Sequence, residues 1–166
     1  MSSWSKVESK YGREVNNISR IVEKYGYDEK HASETDKKIR SLLIFKLRGT
    51  KSILTDLMIV AHKETDDSAT ELKRVRDDLD LAITEIQSLN YWKFPDKEEL
   101  LEKILKADLV LLNNTDVMEK AAAAIQYQVV KSEKGDLLAK LETLRKMLSD
   151  SRAVFLERAE IIKIKR

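Results

Sequence analysis

The chain has 166 residues, 42% of them hydrophobic, with 31 Lys/Arg against 29 Asp/Glu for a net charge of +2. That balance excludes a disordered or membrane-spanning chain, and the absence of cysteine excludes disulfides, zinc–thiolate and iron–sulfur sites and cysteine nucleophiles. Hairpin-rich β folds draw on glycine's positive φ and proline's fixed φ, so four glycines and one proline point to an all-α fold.

The expected architecture is one domain over residues 1–166, an elongated antiparallel bundle of four to five long amphipathic helices. Trp4, Val7, Tyr11, Val15, Ile18, Val22 and Tyr25 recur at spacings of three and four, which predicts a first helix from about Ser3 to Tyr25. Ser5 with Glu8 forms a candidate capping box, and Gly26 is a natural residue just past the helix end. Residues 28–38 are nearly all polar and read as a linker or an exposed extension of the second helix. From Ile39 the stripe resumes through Leu42, Leu43, Leu47, Ile53, Leu54, Leu57 and Met58, with Gly49 inside it. A mid-helix glycine costs about 1 kcal/mol relative to alanine, so Gly49 marks a kink or a close helix crossing.

A third helix follows the polar step His62–Asp67, with Leu72, Val75, Leu79, Ala82, Ile86 and Leu89 in a clean heptad-like run suited to bundle packing. Tyr91-Trp92-Lys93-Phe94-Pro95 is read as a turn, since proline disfavours helix in the residue before it. Its aromatics form either a plug for one end of the bundle or an anchor for a partner. Asp96 with Glu99 would cap a fourth helix carrying Leu100, Leu101, Ile104, Leu105, Leu111, Met118, Ala122, Ile125 and Val129, with a possible break at Asn113-Asn114. Ala121-Ala122-Ala123-Ala124 permits a close helix approach. Gly135-Asp136 pairs a glycine past one helix end with an N-cap for the next, placing a tight turn at Lys134–Asp136. The last helix holds Leu137, Leu138, Leu141, Leu144, Leu148, Phe155, Ala159 and Ile162, and Ile161–Arg166 is read as its frayed end.

Charge is unevenly spread. Residues 1–51 hold 12 Lys/Arg against 7 Asp/Glu, residues 52–102 hold 6 against 13, and residues 103–166 hold 13 against 9. An acidic middle between basic ends predicts neighbouring helices of opposite sign. Met1-Ser2-Ser3-Trp4 opens no apolar run and no long apolar run follows, so a cytoplasmic location without a signal peptide or membrane span is expected. High charge without cysteine leans toward a thermophilic composition.

Chemistry-bearing patterns are sparse. Asp28-x-x-His31 could put two ligands on one helical face, and His62 sits in a polar step. Asp77, Asp78 and Asp80 stand beside Lys73, Arg74 and Arg76 and read as a solvated face with local ion pairs. Lys37, Lys38, Arg40, Lys46, Arg48 and Lys51 surround the Gly49-Thr50 step, where an anion could approach. Glu99-x-x-Glu102 and Asp116-x-x-Glu119 each place two acids one turn apart. This pair pattern is similar to that of all-α nucleotide pyrophosphatases of the MazG type. The resemblance is confined to the two pairs and implies magnesium-dependent nucleotide processing if the chain doubles back at Asn113-Asn114. Along one straight helix, Glu99 and Asp116 would stand about 25 Å apart, too far to share an ion.

No nucleophile elbow, phosphate loop or zinc-protease motif occurs. No catalytic, cofactor-binding or metal residue is therefore assigned, and no cofactor is expected. Leu43, Leu54, Leu101, Leu105, Leu112 and Leu138 widen the stripes beyond a narrow seam, so each helix should contact more than one neighbour, within the bundle or across subunits. The leading expectation is a non-enzymatic scaffold or protein-interaction module. The alternatives are the magnesium-dependent enzyme and an anion or nucleic-acid binder acting through the second helix.

Overall fold

Heptad-spaced leucine, isoleucine and valine positions place four long helices side by side, and a computed structural model shows how they connect. It describes residues 1–61, 67–89, 91–131 and 135–164. Among these, α1 spans Ser3–Lys10, α2 Gly12–Ser19, α3 Ala32–Ala61 and α4 Asp67–Ser88, followed by the short strand β1 at Tyr91–Lys93. Then come α5 at Glu98–Val130, α6 at Leu137–Ile161 and β2 at Lys163–Ile164. The fold is an all-α bundle, as the stripes predict.

The four long helices form a square. α3 packs on α4 and α5, and α6 packs on the same two. Cross-ties reveal direction. Lys51 to Asp80 and Arg40 to the Ile86 carbonyl run antiparallel between α3 and α4. Lys46 to Asp116 and Arg158 to both Asp36 and Asp108 place α3 parallel to α5 and antiparallel to α6. Consecutive long helices therefore alternate in direction, but α4 and α5 face each other across a diagonal, joined by the connector 89–97. The opposite-sign expectation holds in this arrangement: basic α3 and α6 flank acidic α4, with Arg145 on Asp78 at 2.9 Å and Arg152 on Glu85 at 2.6 Å.

The stripes of α4 and α5 are buried as spaced, from Leu72 to Ile86 and from Leu101 to Ile125. α5 runs unbroken through Asn113-Asn114. Asn114 donates across to Ser151 Oγ at 3.2 Å, and the buried Thr115 hydroxyl bonds back to the Leu111 carbonyl at 2.8 Å. Side chains with partners inside the bundle have no pull toward a cap.

Several local expectations are corrected. The first helix is split at Tyr11, whose φ of −116° and ψ of 38° leave the helical region just before Gly12. Ser2, not Ser5, caps α1 by accepting the Ser5 N–H. Helix stops at Ser19, and Val22, Tyr25 and Tyr27 are buried from a loop. Gly26 caps nothing: a Cβ there would lie 2.9 Å from the Trp4 indole nitrogen, so glycine is needed for close approach. Residues 32–38 extend the second helix, since α3 starts at Ala32, but the extension is exposed on one side only and buries Ala32, Thr35 and Asp36. α5 begins after Lys97 without an Asp96 cap, and the residue in left-handed conformation before α6 is Asp136 (φ 62°), which gives no side-chain cap. The frayed end is instead a strand: Lys163–Ile164 pairs antiparallel with Tyr91–Lys93. The connector brings β1 to the end of the bundle where α6 finishes, a partner invisible along the chain. The step at His62–Asp66 and the Trp92 side chain lie outside the described residues.

Candidate functional site

Polar residues that fall on apolar stripes mark where the core carries chemistry. Asp108 sits four residues after Ile104 and three before Leu111, and Arg158 three after Phe155 and four before Ile162. Both side chains are fully buried, and Arg158 Nε donates to Asp108 Oδ1 at 2.7 Å. Tyr25 and Tyr27, from the loop before α3, donate to Asp108 Oδ2 at 2.7 and 2.5 Å, and Arg158 Nη2 donates to the Tyr27 hydroxyl at 2.9 Å. Asp36 approaches Arg158 at 2.8 Å and accepts from Arg40 Nε at 2.9 Å. Burial pushes the Asp36 carboxyl above the ordinary carboxylate range, against the pull of Arg158 and Arg40. Burial, joined by the Asp108 charge, likewise raises both tyrosine hydroxyls. Trp4, Tyr25 and Tyr27 meet edge to face with centroids 5.5–5.8 Å apart, and Phe94 lies 6.0 Å from Tyr27. This constellation closes one end of the bundle and ties α3, α5, α6 and the N-terminal loop together. Arg158, Asp108 and Asp36 are buried and paired, and the part-exposed Arg40 covers Asp36, so the cluster holds these elements together. Helical periodicity passes over this cluster, although the polar interruptions of two stripes signal it.

The acid pairs are not brought together. Glu99 and Glu102 lie near the start of α5, and Asp116 and Glu119 about 25 Å further along the same straight helix. Each member with a partner uses it within the protein: Glu102 takes Lys10 at 2.9 Å and Tyr11 at 3.3 Å, and Asp116 takes Lys120 at 2.8 Å and Lys46 at 3.2 Å. Lys46 also reaches Glu119 at 3.6 Å. The chain reversal on which a shared magnesium ion depends is absent. Among the described residues, no group of three His, Asp or Glu is placed to hold a metal ion. Asp28 and His31 pair with each other at 2.8 Å in the turn before α3. Burial pushes the Asp28 carboxyl up, but its bonds from the His31 ring and from the His31 and Lys30 N–H groups together hold it below its ordinary value. His62 lies outside the described residues.

Four members of the basic set are occupied internally. Lys38 pairs with Glu34, Arg40 with Asp36, Lys46 with Asp116 and Lys51 with Asp80. Gly49 marks a close crossing: the Glu119 carboxylate lies over its bare face and covers the step proposed for an anion. This face of α4 is solvent-exposed as expected, with Arg74 paired locally to Glu71, but Asp78 and Asp80 pair across to α6 and α3 and not within α4.

What remains open is a surface. α1 and α2 pack on α5, with Lys10 at Glu102, and Ile18 lines a groove together with Leu42 of α3 and Leu109 and Leu112 of α5. This groove, where α2 ends, has a volume of about 420 Å³ and is floored by Ile18, Ile21, Leu42, Leu109 and Leu112. Asn17 and Asn113 stand on its rim, and Lys46 and Asp116 close its far end. That volume is within the range of roughly 300–1,000 Å³ seen for ligand sites. Ile21 is 61% exposed, and Phe45, one turn from Leu42, is 69% exposed. Beyond the groove, Ala123, Tyr127 and Val130 continue the same face of α5, with Tyr127 and Val130 65% and 72% exposed.

No described helix is long and apolar enough to cross a membrane. No protein family, no characterised protein and no solved structure matches the chain.

Proposed function

We propose that this protein is a non-enzymatic interaction module whose working surface is the α3/α5 seam. The observation that carries this reading is a pair of apolar patches on one flank of α5, round the helix from the buried line Ile104–Leu111–Met118–Ile125. Leu109 and Leu112 line the groove with Ile18 and Ile21, and Tyr127 and Val130 stand exposed beyond the ion-paired Asp116 and Glu119. A helix with one apolar face needs one partner surface; a second face with exposed Tyr127 and Val130 is left for another. The opposite seam, between α4 and α6, is laced by Arg145–Asp78 and Arg152–Glu85, whereas the ion pairs of the α3/α5 seam are gathered at Lys46, Asp116 and Glu119. Glu102, Asp116 and Glu119 of the acid pairs and the buried Asp108 are held in intramolecular pairs, which supports binding over catalysis. The cysteine-free, highly charged composition supports a reducing cytoplasmic setting.

The test is affinity capture with the wild-type chain beside the Ile21→Glu/Tyr127→Glu variant, after matching their melting temperatures. A protein retained by wild type and lost with the variant is the expected result. Identical captures from both would remove the α3/α5 seam from consideration.

A further inference from the structure

We propose that residues 3–27 form a strap that lifts from the molecule as one unit while the bundle of α3 to α6 stays folded. α3, α4, α5 and α6 close a square through their own contacts, and α1 and α2 are laid onto α5 from outside it. Each of these two helices has eight residues, and helices shorter than about 12–15 residues are marginal without a surface to lean on. The strap is also closed on itself. Trp4, at its beginning, meets Tyr25 and Tyr27, at its end, edge to face, and the Trp4 indole nitrogen lies against the bare face of Gly26. Part of its apolar burial is therefore internal. With its two ends pinned together, the strap does not peel away turn by turn from Ser3 but leaves in one step.

The charges beneath the strap are paired without it. Tyr25 and Tyr27 donate to Asp108 Oδ2, but Asp108 Oδ1 keeps Arg158 of α6 at 2.7 Å, Arg158 keeps Asp36 of α3 at 2.8 Å, and Asp36 keeps Arg40 at 2.9 Å. The outer ties are replaceable: Lys38 donates to the Glu23 carbonyl and retains Glu34, and the exposed Lys10 leaves Glu102 to water. Lifting the strap thus lets water reach Asp108 and strands no buried charge, the outcome that makes opening a charged core costly. Buried side chains such as Trp4, Val7 and Ile18 hold the strap shut, with the two tyrosine hydroxyls as its latch on the bundle. Release withdraws Ile18 and Ile21 from Leu42, Leu109 and Leu112, so the strap sets how much of the surface between α3 and α5 is open. This motion belongs to the fold and is independent of what that surface binds.

Native-state hydrogen exchange of the full chain, followed residue by residue in low urea, tests it. Amides in α1 and α2 are expected to share one opening free energy, lower than that of α4 and α6 and less dependent on urea, because less surface is exposed. Two variants separate the strap from the whole. Ile83→Val, buried in α4, which packs on α3 and α6, should speed exchange in α4 and α6 by about two- to tenfold and leave α1 and α2 unchanged. Tyr25→Phe should speed exchange in α1 and α2 by about fivefold or more. Equal acceleration of α1 and α2 by Ile83→Val overturns the proposal, because the strap then opens only with the entire molecule. So does exchange that is fast near Ser3, slows steadily toward Tyr27 and ignores Tyr25→Phe, the signature of fraying from the chain end.

Discussion

Arg158 on α6 and Asp108 on α5 meet at 2.7 Å with neither side chain reaching solvent. Two charges taken out of water are tolerable only when paired, and removing one leaves the other stranded, at a cost of roughly 3–5 kcal/mol. Arg158→Ala is therefore expected to lower the melting temperature by about 6–20 °C for a chain of this size. Asp108→Ala should cost less, because Arg158 keeps Asp36 at 2.8 Å. The double variant should lose much less than the sum, because the stranded charge is gone. Thermal unfolding of the three variants measures this, and strict additivity would show that the two side chains act independently.

The two tyrosines that share Asp108 Oδ2 should not be equivalent. Tyr25 makes one bond there, whereas the Tyr27 hydroxyl also accepts from Arg158. Removing a hydroxyl from a buried network costs about 1–3 kcal/mol when a partner is left unsatisfied. In urea unfolding, Tyr27→Phe is expected to cost more than Tyr25→Phe. The reverse order would mean that Arg158 finds another acceptor.

Gly26 and Gly49 should respond to alanine with opposite signs. At Gly49 the obstacle is the Glu119 carboxylate, the free end of a flexible side chain that can swing aside, and helix propensity favours alanine by about 1 kcal/mol. Gly49→Ala should hold or raise the melting temperature while weakening the Lys46–Glu119 contact. At Gly26 the obstacle is the Trp4 indole, wedged between Tyr25 and Tyr27. Gly26→Ala should lower stability by about 1–3 kcal/mol through overpacking. A stabilised Gly26→Ala would mean that the aromatic cluster is loosely packed.

Acid should dissolve the surface ties of α5. The bond from Lys10 holds Glu102, and the bonds from Lys120 and Lys46 hold Asp116, below the ordinary carboxylate range. A depressed folded pKa gives stability that is fully present above the unfolded value, near about 4, and lost as pH falls through the folded one. The gap in melting temperature between wild type and Glu102→Gln/Asp116→Asn should thus be open at pH 6 and closed in strong acid. A gap of constant size across that range would assign the effect to something other than ionisation.

Sequence periodicity alone determined that this is a helical bundle and which faces are buried. Leu72, Val75, Leu79, Ala82 and Ile86 are spaced for a core and lie in it. Helical spacing is a local property, so a single strand of residues carries it. The opposite signs of adjacent helices were also legible, because charge segregates along the chain as it does in space. Only the tertiary structure decided what depends on distant partners. Tyr11 breaks a stripe that reads as continuous, and Lys163–Ile164 becomes a strand because Tyr91–Lys93 lies beside it. Asp108 and Arg158, 50 residues apart in sequence, become a buried pair. Asn113-Asn114, a plausible break in isolation, stays helical because Asn114 finds Ser151 on α6. The α3/α5 groove likewise exists only because α2 stops short of the seam it occupies, a matter of where helices end in space and not of which residues compose them.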